Sequence, residues 1–600
     1  MDAAGGLRPL LEGLLRDWCG GLVRQQVIAP AQPAVHGSFR CPACGEPHGR
    51  NGEAVLPLLQ MAEVSADVRY LDAAVAAVAW MRNVDAPDGA WTNELDPKSW
   101  KGTTVFGATA LAEAVSRHGR LLDAGVRSAW LARLRRAADF IRDTVTPDYG
   151  NANYAAATSH CLWLSGTLLD DARLRARGRD LARASIARLS EPSRLFFGEG
   201  RPAARRSAKG CPPVDLGYNV EESLPTLAAY ALAAGDREVL DAVVGSLRSH
   251  VAFMLPDGAW DNSWGTRNAK WTYWGSRTAD GCTAALLELA EHDPAFAAAA
   301  TRNARLLRDC SHEGLLHGGP HLASHGLPPC IHHTFCHAKA IAGAVHMGAR
   351  LDAIDIAARL PRESQQGLRR FPEIDVVLAA AGPWRATVTG YDWLYKAGVF
   401  QPSGGSLSLL WHETIGPVFA GSMTIYRLVE PHNMRPGADG EDVPLTPRVE
   451  IRAADGIWLT NLFDRRATIT HAAEEGRVVV AVEARLENEA ADADDPPAIR
   501  IRYALDSGAF EIAATGLPPT ARLVLPVIAR GDEEVRQPEP GRVCVAKRSG
   551  TLVLETTGRC RRIPTVGPRI FNHVPGFEAV PFEIHPDPTG SAVARLRVHG

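Results

Sequence analysis

The sequence predicts a chain in two parts, an (α/α) toroid of helical hairpins followed by an antiparallel β-sandwich. Three observations predict it. From Ala54 to about Arg350 apolar residues recur at helical spacing, in pairs of segments joined by short polar turns. The links between pairs are long and rich in Trp, Tyr, Asn, His, Asp and Gly. Beyond roughly Gly390 the pattern changes to two-residue alternation with turn signals. The toroid, with an N-terminal CPxCG segment, is therefore placed at residues 1–390 and the β-sandwich at 391–600.

In chain order the first hairpin is VLPLLQMAEV with YLDAAVAAVAWM, turning at Ser65-Ala66-Asp67. ALAEAVSRHG pairs with SAWLARLRRAADFI, and SHCLWLSGTLL with ARLRARGRDLARASIARL through Asp170-Asp171. SLPTLAAYALAAG and EVLDAVVGSLRSHVAFM turn at Asp236, TAALLELAE and AFAAAATRNARLL make a fifth pair, and a sixth begins at Phe335. The long links run from Asp85 to Gly102, Pro147 to Asn153, Leu216 to Glu222, Pro256 to Asp280 and His312 to His333. Pro87-Asp88-Gly89-Ala90-Trp91 recurs as Pro256-Asp257-Gly258-Ala259-Trp260 at the same kind of junction. Stacked hairpins extend as a solenoid or close into a ring. A ring is expected here, because long loops gathered at one end build a single cleft. The loops holding Trp100, Asn153, Tyr218, Trp271 and His333 should then open onto one face. In the second part VEIRAADGIWLTNL, RVVVAVEARLEN, AIRIRYAL and SAVARLRV read as half-buried antiparallel strands, with Asn488 to Pro497 an exposed loop between strands.

Composition excludes some classes of function. With 600 residues, 46% hydrophobic and 22% charged, the chain can bury several cores. Its 65 Lys and Arg nearly balance 68 Asp and Glu, so a net charge of -3 gives no reason to expect nucleic acid or an anionic membrane as partner. An anionic ligand must be held by local residues. Met1 to Arg24 lack a basic n-region and a continuous apolar stretch, and 11 scattered cysteines are not a secreted disulfide framework, so a cytoplasmic location is expected.

The segment Asp257 to Cys282 holds four Trp, with Arg267, Lys270, Tyr273 and Arg277 among them. Aromatic rings stack on sugar faces and Arg binds a uronate carboxylate bidentately, so Arg267, Lys270, Trp271, Tyr273 and Trp274 are candidate substrate contacts. The competing reading packs Trp260 and Trp264 as core beneath the loop. Tyr218, Glu221 and Glu222 precede a helix and suit proton transfer, although a Glu pair also simply complements a helix dipole. Asn151, Asn153, Tyr154 and His160 occupy a loop and the first turns after it, where a buried, satisfied His is the default.

The order Asn153 and His160, then Tyr218, then Pro256-Asp257-Gly258 resembles the toroid of heparinase II/III-like and alginate-lyase-like polysaccharide lyases, with SGGSLSLLWHETIGPVFAGS similar to their opening strands. The resemblance implies cleavage of a uronic-acid-containing oligo- or polysaccharide by β-elimination. In that reading Asn153 and Arg277 neutralise the uronate carboxylate, and Tyr218 moves the proton with a His partner, His160 or His333. The same toroid serves glycoside hydrolases of glucuronidase type, which need paired carboxylates, here Glu221, Glu222, Asp261 or Asp280. A non-catalytic carbohydrate-binding protein is the third reading.

Neither reaction requires a cofactor. Cys41-Pro42-Ala43-Cys44-Gly45 has the form of half a zinc knuckle, which His48 or Cys19 would complete. Its alternative is a turn that sets the segment from His48 to Arg50 near the cleft as further substrate contacts. His333 and His337 share a face if their segment is helical, which suits a metal and equally a His that orients substrate.

Overall fold

The computed structural model describes residues 6–45, 47–273, 275–276, 279–319, 321–430, 443–474, 476–493 and 495–600. The helices are α1 (Leu7–Gln25), α2 (Val55–Ser65), α3 (Val68–Trp80), α4 (Thr104–His118), α5 (Ala124–Thr144), α6 (Ala152–Leu168) and α7 (Ala172–Ile186). They continue with α8 (Leu216–Tyr218), α9 (Leu224–Ala234), α10 (Arg237–His250), α11 (Thr283–Glu288), α12 (Pro294–Asp309) and α13 (Ile331–His346). Five hairpins fall where the periodicity places them. The order α2, α4, α6, α9, α11, α13 runs around an inner ring, each helix touching the next and α13 returning to α2. The sixth pair departs from the expected sequence of hairpins. α13 packs on α1, so the first helix of the chain closes the ring against the last.

Caps separate the two layers. Each outer helix α3, α5, α7, α10 and α12 begins with an Asp whose carboxylate accepts a backbone N–H, from Asp67, Asp123, Asp171, Asp236 and Asp293. These aspartates set the short turns within pairs. None of α2, α4, α6, α9, α11 and α13 is capped by its own N-cap side chain. Their N-terminal N–H groups, with the partial positive charge of the helix dipole, lie at the end served by the long links.

Antiparallel strands begin at Gly367–Phe371, ahead of the change of pattern at Gly390. Val376–Ala381 and Trp384–Thr389 are buried at every position, so they read as apolar runs and no alternation marks them. A five-stranded sheet, a six-stranded sheet and an eight-stranded sheet follow, and side chains of all three share one core. The eight-stranded sheet carries the alternating strands, such as Ala498–Leu505 and Phe510–Thr515.

A second core joins toroid to sheets. Leu255, Ala259, Trp271 and Tyr273 from the toroid pack with Leu409, Trp411, Ile528 and Phe577 from the sheet region. Beneath it Arg362 Nη1 reaches Asp261 Oδ2 at 2.7 Å, with Thr387 on the same carboxylate.

Candidate active site

A cleft of about 500 Å³ opens at the N-terminal ends of the inner helices. Arg50 precedes α2, Thr103 and Phe106 lie at the start of α4, Asn151, Asn153 and Tyr154 at the start of α6, and Tyr218 and Glu222 before α9. The sheet region supplies Tyr395, Lys396, Val429 and Glu430. Trp100 flanks the cleft as an exposed ring stacked on Tyr149 at 5.1 Å and hydrogen-bonded through Nε1 to the Tyr154 hydroxyl at 2.8 Å. Such a platform fits the apolar face of a sugar.

Tyr218 is buried at the end of α8, where Asp215 Oδ1 caps its N–H at 3.1 Å. The chain then makes a π-helical turn, Asn219–Ser223, which places Glu221 and Glu222 on different sides. Lys270 Nζ donates to the Tyr218 hydroxyl at 3.2 Å, and the Arg267 guanidinium lies 3.8 Å from the ring centroid. Glu199 holds this group from behind, accepting from Arg267 Nη1 at 3.0 Å and from the Asn153 N–H at 2.9 Å. Glu430 pairs with Lys270 and lies 3.5 Å from Arg267. Burial pulls the Lys270 ammonium down to about 8 against the opposing Glu430.

Asn153 Nδ2 donates to Glu222 Oε1, while Asn153 Oδ1 is buried without a partner. Burial, together with the charge of Asp280, raises the Glu222 carboxyl to about 8, so near neutrality it is a neutral acid. Beneath it Arg50 binds Glu53 and, at 3.2 Å, Asp280, and Lys339 of α13 binds the same two carboxylates. Cys336 converges with Glu53 and Asp280, but both acids are committed to cations and the group is a charge-paired floor.

The other expected residues lie elsewhere. Trp271 and Tyr273 are not sugar contacts: Trp271 Nε1 is bonded to the Trp260 carbonyl at 2.9 Å and Tyr273 to Asp257, both in the core between toroid and sheets. Trp260 and Trp264 are buried in the toroid core. Arg277 and Trp274 lie outside the described residues. His160 is absent from the cleft wall; its Nε2 meets Glu113 Oε1 at 3.0 Å beside a chamber deeper in the ring. Glu221 faces His337 at 3.7 Å. His333 is buried in the first turn of α13 and does not line the cleft, so the expected single face holds Trp100, Asn153 and Tyr218 without Trp271 and His333. His48 is buried with its ring 3.9 Å from that of His332 and caps Arg50 N–H at 3.2 Å. Glu199, Tyr395 and Glu430 were not singled out by the sequence; Glu199, an acid between Gly198 and Gly200 after two Phe, carried the one local signal.

Among described cleft-lining residues the carboxylates are Glu222 and Glu430, and Glu430 is bound to two cations. Asp261 is tied up by Arg362. A pair flanking a glycosidic bond, as hydrolysis needs, is not formed by these acids.

Residues 15–363 match the family described as ulvan lyase N-terminal domain, and residues 368–598 that described as ulvan lyase C-terminal domain. The chain is 40% identical over 585 residues to the broad-specificity ulvan lyase of Formosa agariphila, covering 96% of this chain and 91% of the relative. In structure it resembles the chondroitin AC lyase of Streptomyces coelicolor A3, with a TM-score of 0.53, 13% identity, and coverage of 98% of this chain and 83% of that one. The latter likeness concerns the fold alone.

Proposed function

Because the chain belongs to the ulvan lyase family, and so cleaves uronic-acid-containing polysaccharide by β-elimination, we propose that Tyr218 is the proton-transferring group and ulvan the substrate. The observation that carries the assignment of Tyr218 is its phenol, buried between Lys270 and Arg267 and facing the Asn153–Glu222 pair across one cleft. An ammonium has no lone pair, so the Tyr218 oxygen accepts from Lys270. Two cations favour the phenolate, which takes the proton α to the uronate carboxylate. The electron pair left behind forms the carbon–carbon double bond, the bond to the β-oxygen breaks, and that oxygen collects a proton from Tyr218. No water is consumed.

The α-proton becomes acidic only if the carboxylate's charge is met. Asn153 and the neutral Glu222 do this, assisted by the uncapped start of α6. Arg267, expected to read the carboxylate, is instead committed to Glu199 and stacked on Tyr218, and serves the phenol.

The test is ulvan incubated with the enzyme and followed by absorbance of the unsaturated uronate, in parallel with carboxyl-reduced ulvan. Growth of absorbance on the native polymer, and its loss on the reduced one, supports the reading. Equal rates on both would remove the role given to Asn153 and Glu222, and no absorbance on ulvan would remove the substrate.

A further inference from the structure

The CPxCG segment is distant in sequence from α13 but meets it in space. Gly45, at φ +77°, donates its N–H to the Cys41 carbonyl at 2.7 Å, closing a tight turn around Cys41 and Cys44. Cys41 is buried and its thiol is hydrogen-bonded to the thiols of Cys330 and Cys44. Cys330 is the N-cap of α13. The Ile331 N–H points at the Cys41 sulfur, and those of His332 and His333 at the Cys330 sulfur. His332 acts electrostatically on Cys41, favouring the thiolate together with the Cys330 and Cys44 hydrogen bonds. All the cysteines are free thiols. Cys19, the other thiol considered for this site, is bonded instead to the Pro57 carbonyl at 3.4 Å. Three thiols converge here with backbone N–H groups aimed at their sulfurs. That arrangement suits thiolates held on a soft cation and offers little to apolar packing.

We propose that Cys41, Cys44, Cys330 and His332 bind one structural zinc ion. Binding releases the three thiol protons to solvent and leaves three thiolates and a neutral imidazole on the metal. The ion ties the N-terminal loop to α13 at the seam where the ring closes. His48 and Arg50 follow the knuckle directly, so the zinc fixes the register of Arg50 against Glu53, Asp280 and Lys339 in the floor of the cleft.

The experiment is metal analysis of the full chain, purified with zinc present, together with Cys44→Ser and Cys330→Ser. The expected result is about one zinc per wild-type chain and a marked loss of zinc in both variants. Cobalt should replace it with a thiolate charge-transfer band, and chelation should lower Tm by roughly 5 °C or more, restored by zinc and not by magnesium. Wild-type protein without zinc, or a Cys41–Cys330 disulfide in the active enzyme by non-reducing mass analysis, overturns the site. Both readings come from the wild type and stand even if a variant fails to fold.

Discussion

The ring has two cavities along its axis, and only one is equipped for elimination. The mouth, at the N-terminal ends of the inner helices, brings Tyr218, Lys270, Arg267, Asn153 and Glu222 together and is completed by Tyr395 and Glu430 from the sheet region. The deeper chamber, about 150 Å³, is lined by residues of the ring such as Glu113, His160, Thr226, Leu232 and Lys339, and no strand of the sheet region contributes to its wall among the described residues. Between them lies the charge-paired layer of Arg50, Glu53, Asp280 and Lys339. Helices alone therefore produce a channel with titratable groups. The sheet region turns one end into a site, through an acid that holds two cations beside a phenol.

The largest expected effect tests the mouth. Tyr218→Phe keeps the ring on Arg267 and removes only the hydroxyl, so Tm should change little while kcat falls ~10²–10⁴-fold. Near-normal turnover in this variant would end the assignment. Glu430→Gln should follow in size. It removes the opposing charge that keeps the buried Lys270 cationic, so Lys270 falls below about 8 and the alkaline limb of the kcat profile moves to lower pH. An unchanged limb would separate the sheet region from the chemistry.

Glu222→Gln has a smaller effect on rate, because Gln imitates the neutral acid; activity should stay within ~10-fold of wild type near neutrality. Its signature is in stability. The Glu222 pKa rises from an ordinary 4.5 to about 8 on folding, so the proton's contribution is complete below the unfolded value and lost as pH rises through the folded one. Gln does not titrate. The variant should therefore gain on wild type between pH 5 and 9, by on the order of 3–5 kcal/mol, measured by denaturant unfolding at each pH. A difference that is flat with pH would mean that Glu222 is ionised in the fold.

Much of the mouth was legible because it is built from loops. Asn153, Tyr218, Glu222, Arg267 and Lys270 stand out as polar or aromatic residues between apolar helices, and the aspartate caps marked the turns within pairs. What stayed hidden depends on distant partners. Trp271 and Tyr273 follow Lys270 directly, yet they are buried because the sheet region packs on them with Trp411 and Phe577, and no local pattern announces that neighbour. Glu430 is invisible for the same reason from the other side. The repeated Pro-Asp-Gly-Ala-Trp shows the division most sharply. Both copies make the same turn, with the Ala N–H on the Asp carboxylate at 3.2 Å and Gly at φ +89° or +94°. Asp88 pairs with Lys101 at the surface, whereas Asp257 is buried against Tyr273 and Trp411. Local sequence set the turn, and tertiary context set its chemistry.

The smallest expected effect tests the chamber. His160 has the residue type and the neighbourhood in sequence of a catalytic base, but its Nε2 is bonded to Glu113 Oε1 at 3.0 Å and it lies among chamber residues. Burial would raise the Glu113 carboxyl, but Arg117 and His160 outweigh it and hold the group near 2, so Glu113 is a firm anion that anchors the imidazole. His160→Gln keeps an amide donor for this anion. Turnover should remain within ~3-fold, while stability falls by roughly 1–2 kcal/mol as a buried charge-assisted hydrogen bond is exchanged for a neutral one. The pH profile of kcat should keep the wild-type shape. A loss of ~10²-fold or more with unchanged Tm would show that the chamber takes part in proton transfer, and the distinction between the two cavities would fail.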